Sequence, residues 1–217
     1  MVTTLIIPGY RGSEADHWQR HWARDLSASE VVEQEDFDRP ILSEWLHVLE
    51  AQLAAAPGAI LVAHSLGCAL VAHLAGRPAA SHVGGVLMVA PADVDMLASE
   101  NPDFEDFAPM PRAALPFASI LVASRNDPFM RYGRASALAA DWGSGLVDLG
   151  MAGHVNVASG IGPWPEGVIL ASALRGRRPA EAWGPDEIAG SAAIAGARLT
   201  ALQTVQRSSP ALGRAAP

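Results

Sequence analysis

The segment from Ala59 to Leu74 restricts the fold more than any other part of the chain. Ala59-Ile60-Leu61-Val62-Ala63 is an unbroken apolar run, and a strand without polar alternation is one covered on both faces, as in a parallel sheet. His64-Ser65 interrupts it, and Leu66 to Leu74 then reads as a helix. A strand that turns into a helix within so few residues brings the two elements very close together. The positions two before and two after Ser65 must therefore be tiny, and they are Ala63 and Gly67. Such a turn lifts the Ser65 hydroxyl above the sheet. The plainer alternative is that Ser65 only caps the helix.

The rest of the chain repeats the same alternation. Val2 to Ile7, which ends at Pro8-Gly9, reads as a strand, as do Val31 to Glu35, Val86 to Ala90, Ile120 to Ala123 and Leu146 to Leu149. His17 to Leu26, Pro40 to Ala56 and Pro165 to Leu174 read as helices, and Pro128 is placed to open another. Strands alternating with helices predict an α/β fold with a mostly parallel central sheet, right-handed crossovers and helices on both faces. In such sheets the working groups lie at the carboxyl ends of the strands.

With 217 residues, half of them hydrophobic, the chain suits one domain over 1–175 and an Ala/Gly/Pro-rich tail over 176–217. Within that tail Asp186 to Gln206 carries a weak helical pattern. Pro91 to Pro116 is acidic and proline-rich, with Phe104 and Phe107 inside it, and reads as an irregular loop or a small lid.

Composition removes several kinds of chemistry. All 15 basic residues are Arg, so a Schiff-base lysine, a phosphate-loop lysine and a Ser–Lys dyad are excluded. Cys68 is the single cysteine, so no intrachain disulfide forms and no cysteine-based zinc or iron–sulfur site is expected. A net charge of −8 disfavours nucleic acid and anionic membranes as partners. No apolar run reaches the ~18 residues of a membrane span, and the N-terminus lacks a signal pattern, so a cytoplasmic location is expected. His17 and His21 stand four apart on a helix without a third ligand in sight, and no metal is expected. Cys68 reads as a small packing residue, and Arg175, Arg177 and Arg178 as partners of a helix C-terminus.

A serine raised from a strained turn becomes a nucleophile only with a base, and the base needs an acid to orient it. Of the seven histidines only His154 comes late, in the glycine-rich loop Gly150-Met151-Ala152-Gly153-His154 after the last strand. For the acid, Asp127 follows the Ile120 strand in Ser124-Arg125-Asn126-Asp127-Pro128. Asp93 and Asp95, after the preceding strand, compete with it. All three satisfy the order serine, acid, histidine, and Asp127, with room for a helix, a strand and a loop before His154, is favoured. The Leu66 N–H at the helix start and the Tyr10 N–H in Pro8-Gly9-Tyr10-Arg11-Gly12-Ser13 are candidate oxyanion donors. Trp18 and Trp164 are candidate walls of an acyl substrate pocket and, equally, candidate core or surface aromatics.

Taken together, these segments resemble the small α/β-hydrolase-fold serine hydrolases typified by the retinoblastoma-binding serine hydrolase and its bacterial relatives. The resemblance is carried by Pro8-Gly9-Tyr10, His17-Trp18-Gln19, His64-Ser65-Leu66-Gly67, Ala123 to Phe129, Gly153-His154-Val155-Asn156 and Ser159 to Gly167, and it spans about Val2 to Leu174. It implies a cofactor-free serine hydrolase with minimal or no cap, with Ser65, Asp127 and His154 as its triad and a small acyl compound as its substrate. Hydrolysis of an ester or related acyl bond is the expectation. Two readings compete with it: a non-catalytic binding module using the 91–116 segment and the tail, and an acyltransferase or thioesterase using the same residues. No protein partner is indicated.

Overall fold

The computed structural model describes residues 3–177; the helical pattern at 186–206 and all of the tail beyond 177 lie outside the described residues. Six strands form one sheet: β1 Thr4–Ile7, β2 Ser29–Val31, β3 Ala59–His64, β4 Val83–Val89, β5 Ser119–Ala123 and β6 Gly145–Asp148. Their order is β2-β1-β3-β4-β5-β6, and every neighbouring pair is parallel. The helices are α1 Trp18–Asp25, α2 Leu42–Ala55, α3 Leu66–Leu74, α4 Val94–Leu97, α5 Tyr132–Trp142 and α6 Pro165–Ser172. None of them is long and apolar enough to cross a membrane.

The pleat sorts the strand side chains into two cores. Leu5, Ile7, Leu61, Ala63, Val86, Met88 and Leu121 face α2, α3 and α5. Ile6, Ile60, Val62, Leu87, Val89, Ile120 and Val122 face α1 and α6. This two-sided covering is why the strands read as continuous apolar runs. The register pairs Ile7 with Ala63, His64 with Val89, and Ala123 with Asp148, so the strands end together along one edge.

Several boundaries differ from the sequence pattern. β2 ends at Val31 instead of reaching Glu35, because only Val32 continues the ladder, through its amide to the Ile6 carbonyl (2.8 Å), before the acidic Glu33–Glu35 stretch leaves this edge strand. β4 starts at Val83, ahead of the apolar run, since Gly84 and Gly85 supply no side chains to signal a strand. The helix expected at Pro128 begins at Tyr132, the intervening residues being held in a turn around Asp127.

The 91–116 segment is not a loose loop. It holds α4 and a 3₁₀ turn at Pro102–Phe107, and it buries Phe104, Phe107, Met110 and Leu115 in the α2/α3/α5 core. His73 Nε2 donates to the Phe107 carbonyl at 2.9 Å, Trp142 Nε1 to the Pro111 carbonyl at 2.8 Å, and the Leu42 amide to Asp106 at 3.3 Å. Burial of two phenylalanines fixes a stretch whose prolines and charges resemble a lid in the sequence alone.

Candidate active site

At the C-terminal edge, β3 passes into α3 through Ser65, whose φ of 56° and ψ of −122° no ordinary strand or helix residue adopts. Such a conformation is held only where its surroundings enforce it. Here the Ser65 amide donates to the Val89 carbonyl at 3.1 Å, and the loop after β1 presses against the turn from the other side. A Cβ added to Gly9 would lie 2.8 Å from Ser65 Cβ and 2.9 Å from the Leu66 nitrogen. One added to Gly67 would lie 2.7 Å from the carbonyl oxygens of both Ile7 and Pro8. Glycine at both positions is thus the condition for β1 and the elbow to meet. The Leu66 and Tyr10 amides flank this contact, and neither donates to a protein acceptor among the described residues.

Tyr10 is held from a distant part of the chain. Its hydroxyl donates to Asp103 at 2.7 Å, and its ring sits 5.1 Å from that of Phe104, both in the 3₁₀ turn of the 91–116 segment. The stretch expected as a lid therefore serves as a brace for the loop beside Ser65.

The loops after β5 and β6 bring the other two groups. His154 Nε2 accepts from Ser65 Oγ at 2.9 Å, and His154 Nδ1 donates to Asp127 at 2.9 Å (Oδ2) and 3.0 Å (Oδ1). The carboxylate thereby selects the neutral tautomer that leaves Nε2 free to accept. The side chains of Asp127 and His154 are 2% and 8% exposed, while Ser65 is partly open to solvent, so the line of bonds is dry at one end and reachable at the other. The competing acids are engaged elsewhere: Asp93 and Asp95 both pair with Arg134, the former at 3.0 Å.

Side chains that sequence reasoning passed over hold these loops in register. Ser124 Oγ accepts from the Ala152 amide (3.0 Å), Asn126 Oδ1 from the Gly153 amide (2.8 Å), and the Arg125 amide donates to the Gly150 carbonyl (2.7 Å). Ser159 Oγ accepts from the His154 amide at 2.9 Å and donates to Asn156 at 2.8 Å. Their signal in the sequence is that they lie close to Asp127 and His154, within the segments that carry the family resemblance. Gln19 joins α1 to the sheet, its amide reaching the carbonyls of Ile7 (3.0 Å) and Val62 (3.1 Å).

Three imidazoles run inward from Ser65. The rings of His154 and His64 are 4.8 Å apart, as are those of His64 and His17. His64 Nε2 donates to the His154 carbonyl at 2.9 Å, which fixes the main chain at His154. Burial, and then repulsion from His154 and His17, holds His64 well below the ordinary histidine value. Burial and His154 likewise bring His17 down to about 4. Both inner rings are therefore neutral at pH 7.

Trp18 and Trp164 do not form pocket walls. They are 0% and 1% exposed and pack edge to face (5.4 Å) beside Trp22 in the α1/α6 core. Trp18 Nε1 donates to the Val155 carbonyl at 2.9 Å, so its part is to anchor the histidine loop from behind. Cys68 is fully buried and burial pushes its thiol up, which suits packing and not nucleophilic attack. His21 lies against Arg24 on the surface, and among the described residues no group of three or more His, Cys, Asp or Glu is arranged to hold a metal. Arg175 reaches Thr4 on β1 at 3.4 Å.

A family profile described as serine hydrolase matches residues 4–173. The chain belongs to the serine hydrolase family. It is a hydrolytic enzyme on an α/β-hydrolase fold. A solved YdeN-like hydrolase from Pectobacterium atrosepticum is 31% identical, with a TM-score of 0.71 over 81% of this chain and 93% of that one. Two more distant structures share the fold. The ydeN gene product of B. subtilis is 19% identical, with a TM-score of 0.64 over 80% of this chain and 98% of its own. Thermogutta terrifontis esterase 2, phosphoramylated by tabun, is 14% identical, with a TM-score of 0.59 over 79% and 81%. Among curated proteins none matches the chain.

Proposed function

We propose that this serine hydrolase cleaves a small ester or related acyl bond through an acyl-enzyme, with Ser65 as nucleophile, His154 as base and Asp127 as the acid that orients it. The observation that carries the reading is the unbroken line from Ser65 Oγ through His154 to Asp127, each link about 2.9 Å. Ser65 Oγ attacks the substrate carbonyl while its proton passes to His154 Nε2. The resulting imidazolium is stabilised by the buried Asp127 carboxylate. The carbonyl oxygen, now negative, turns toward the Leu66 and Tyr10 amides, the first next to Ser65 and the second next to Gly9, which packs against Ser65. Collapse of the tetrahedral intermediate breaks the bond to the alcohol, which takes the proton from Nε2. A water, deprotonated by the same nitrogen, then releases the acid and regenerates Ser65.

The substrate in this proposal is a small acyl compound, and the site of action is the cytoplasm, which suits a chain with a single thiol. A fluorophosphonate probe tests the assignment. The folded protein should be labelled at Ser65, and Ser65→Ala should lose both labelling and turnover of p-nitrophenyl esters. Persistence of turnover in Ser65→Ala would reject the mechanism.

A further inference from the structure

Four large apolar side chains are exposed among the described residues, and one of them, Phe129, stands against the imidazole of His154. Its ring centroid is 4.7 Å from that of His154 at an interplanar angle of 68°, and the residue is 40% exposed. The other ring packed on His154 belongs to His64, which is buried. Phe129 is therefore the aromatic surface that solvent, and an entering substrate, meets beside the base.

Its position is fixed from both sides. The Phe129 amide donates to Asp127 Oδ1 at 2.9 Å, the same carboxylate that holds His154. The Phe129 carbonyl accepts from the Asp93 amide at 2.9 Å, and Met130 next to it is buried. These anchors hold the ring 40% exposed at a fixed place beside His154.

The chemistry of the proposed reaction says which part of the substrate meets that ring. His154 Nε2 returns its proton to the departing alcohol oxygen, so the alcohol fragment must stand within hydrogen-bond reach of Nε2. That places the alcohol's carbon skeleton beside the imidazole and whatever borders it. Resting on the hydrolase reading above, we infer that Phe129 is a specificity-determining residue that contacts the alcohol portion of the ester and favours aromatic or bulky apolar alcohols.

The test compares benzyl acetate with methyl acetate, whose alcohols have similar acidity but differ in apolar surface, and sets methyl butyrate beside methyl acetate as an acyl-side control. Wild type should prefer benzyl over methyl acetate in kcat/KM, and Phe129→Ala should reduce that preference by about tenfold. Phe129→Leu should keep part of it, and the butyrate-to-acetate ratio should be unchanged in both variants. A measurement independent of turnover uses benzyl alcohol to protect Ser65 from fluorophosphonate labelling, with protection expected in wild type and lost in Phe129→Ala. An equal fall for every ester in Phe129→Ala, or undiminished protection by benzyl alcohol, would overturn the inference and leave the Ser65 mechanism standing. Turnover surviving in Ser65→Ala would instead remove the mechanism beneath it.

Discussion

Gly9→Ala isolates the contact between the first loop and the elbow. An ordinary carbon–carbon contact needs roughly 3.5 Å, whereas the new methyl would lie 2.8 Å from Ser65 Cβ and 2.9 Å from both the His64 carbonyl oxygen and the Leu66 nitrogen. All three obstacles are main chain or Cβ atoms, so none can rotate away, and the loop must retreat by about 0.6 Å or more. A donor that begins at about 2.9 Å from an oxyanion then stands near 3.5 Å, the limit of a useful hydrogen bond. Loss of one such donor lowers kcat by about 10²-fold, or about 2.7 kcal/mol. KM should change little, because the interaction strengthens only as charge develops. The strain should also lower stability by about 1–3 kcal/mol. Gly133→Ala in α5 is the control: its added methyl meets nothing within 4 Å, so kcat should hold and stability rise by up to about 1 kcal/mol. Steady-state kinetics on p-nitrophenyl acetate, with circular dichroism and urea melts on each variant, reads all of these. A folded Gly9→Ala enzyme with kcat within threefold of wild type would refute the placement of the Tyr10 amide in the oxyanion site.

Asp127→Asn should lower kcat by about 10³–10⁴-fold with the fold intact, since the amide no longer selects the His154 tautomer that accepts from Ser65; pre-steady-state acylation rates read this directly. Stability should fall on acidification through His17. Its folded value of about 4 lies below the unfolded value near 6.5, so the unfolded chain takes up the proton first. The contribution is complete above pH 6.5 and is lost as pH drops toward 4, by up to about 3 kcal/mol. His64 has the same sign. Urea midpoints between pH 7 and 4 should be flatter in His17→Asn, which keeps a capping acceptor for the Gln19 amide.

The parallel sheet was legible because strands covered on both faces carry no polar residue to interrupt them, as in Ala59–His64. It was least legible where glycines stand in for apolar residues at the start of β4, and at the edge strand β2, which has only one neighbour. Chain order and glycine content led to Ser65, Asp127 and His154, which the fold brings into contact. What the linear pattern cannot carry is which way a long-range partner lies. Trp18 meets Val155 across 137 positions and Tyr10 meets Asp103 across 93, so the tryptophans resemble pocket walls and the 91–116 segment a lid. Both assignments turn on contacts that exist only after folding.

The crosslinks among Ser124, Arg125, Asn126 and the stretch Gly150–Gly153 have an effect on how this enzyme tolerates change. With Asp127 and His154 mounted on mutually bolted loops, a shift in either carries the other with it, and the hydrogen-bonded pair moves as a single cartridge. The serine rides on a different part of the sheet. What ties the two together is the bond from His64, the serine's neighbour, to the His154 carbonyl, so that single link sets the gap between cartridge and hydroxyl.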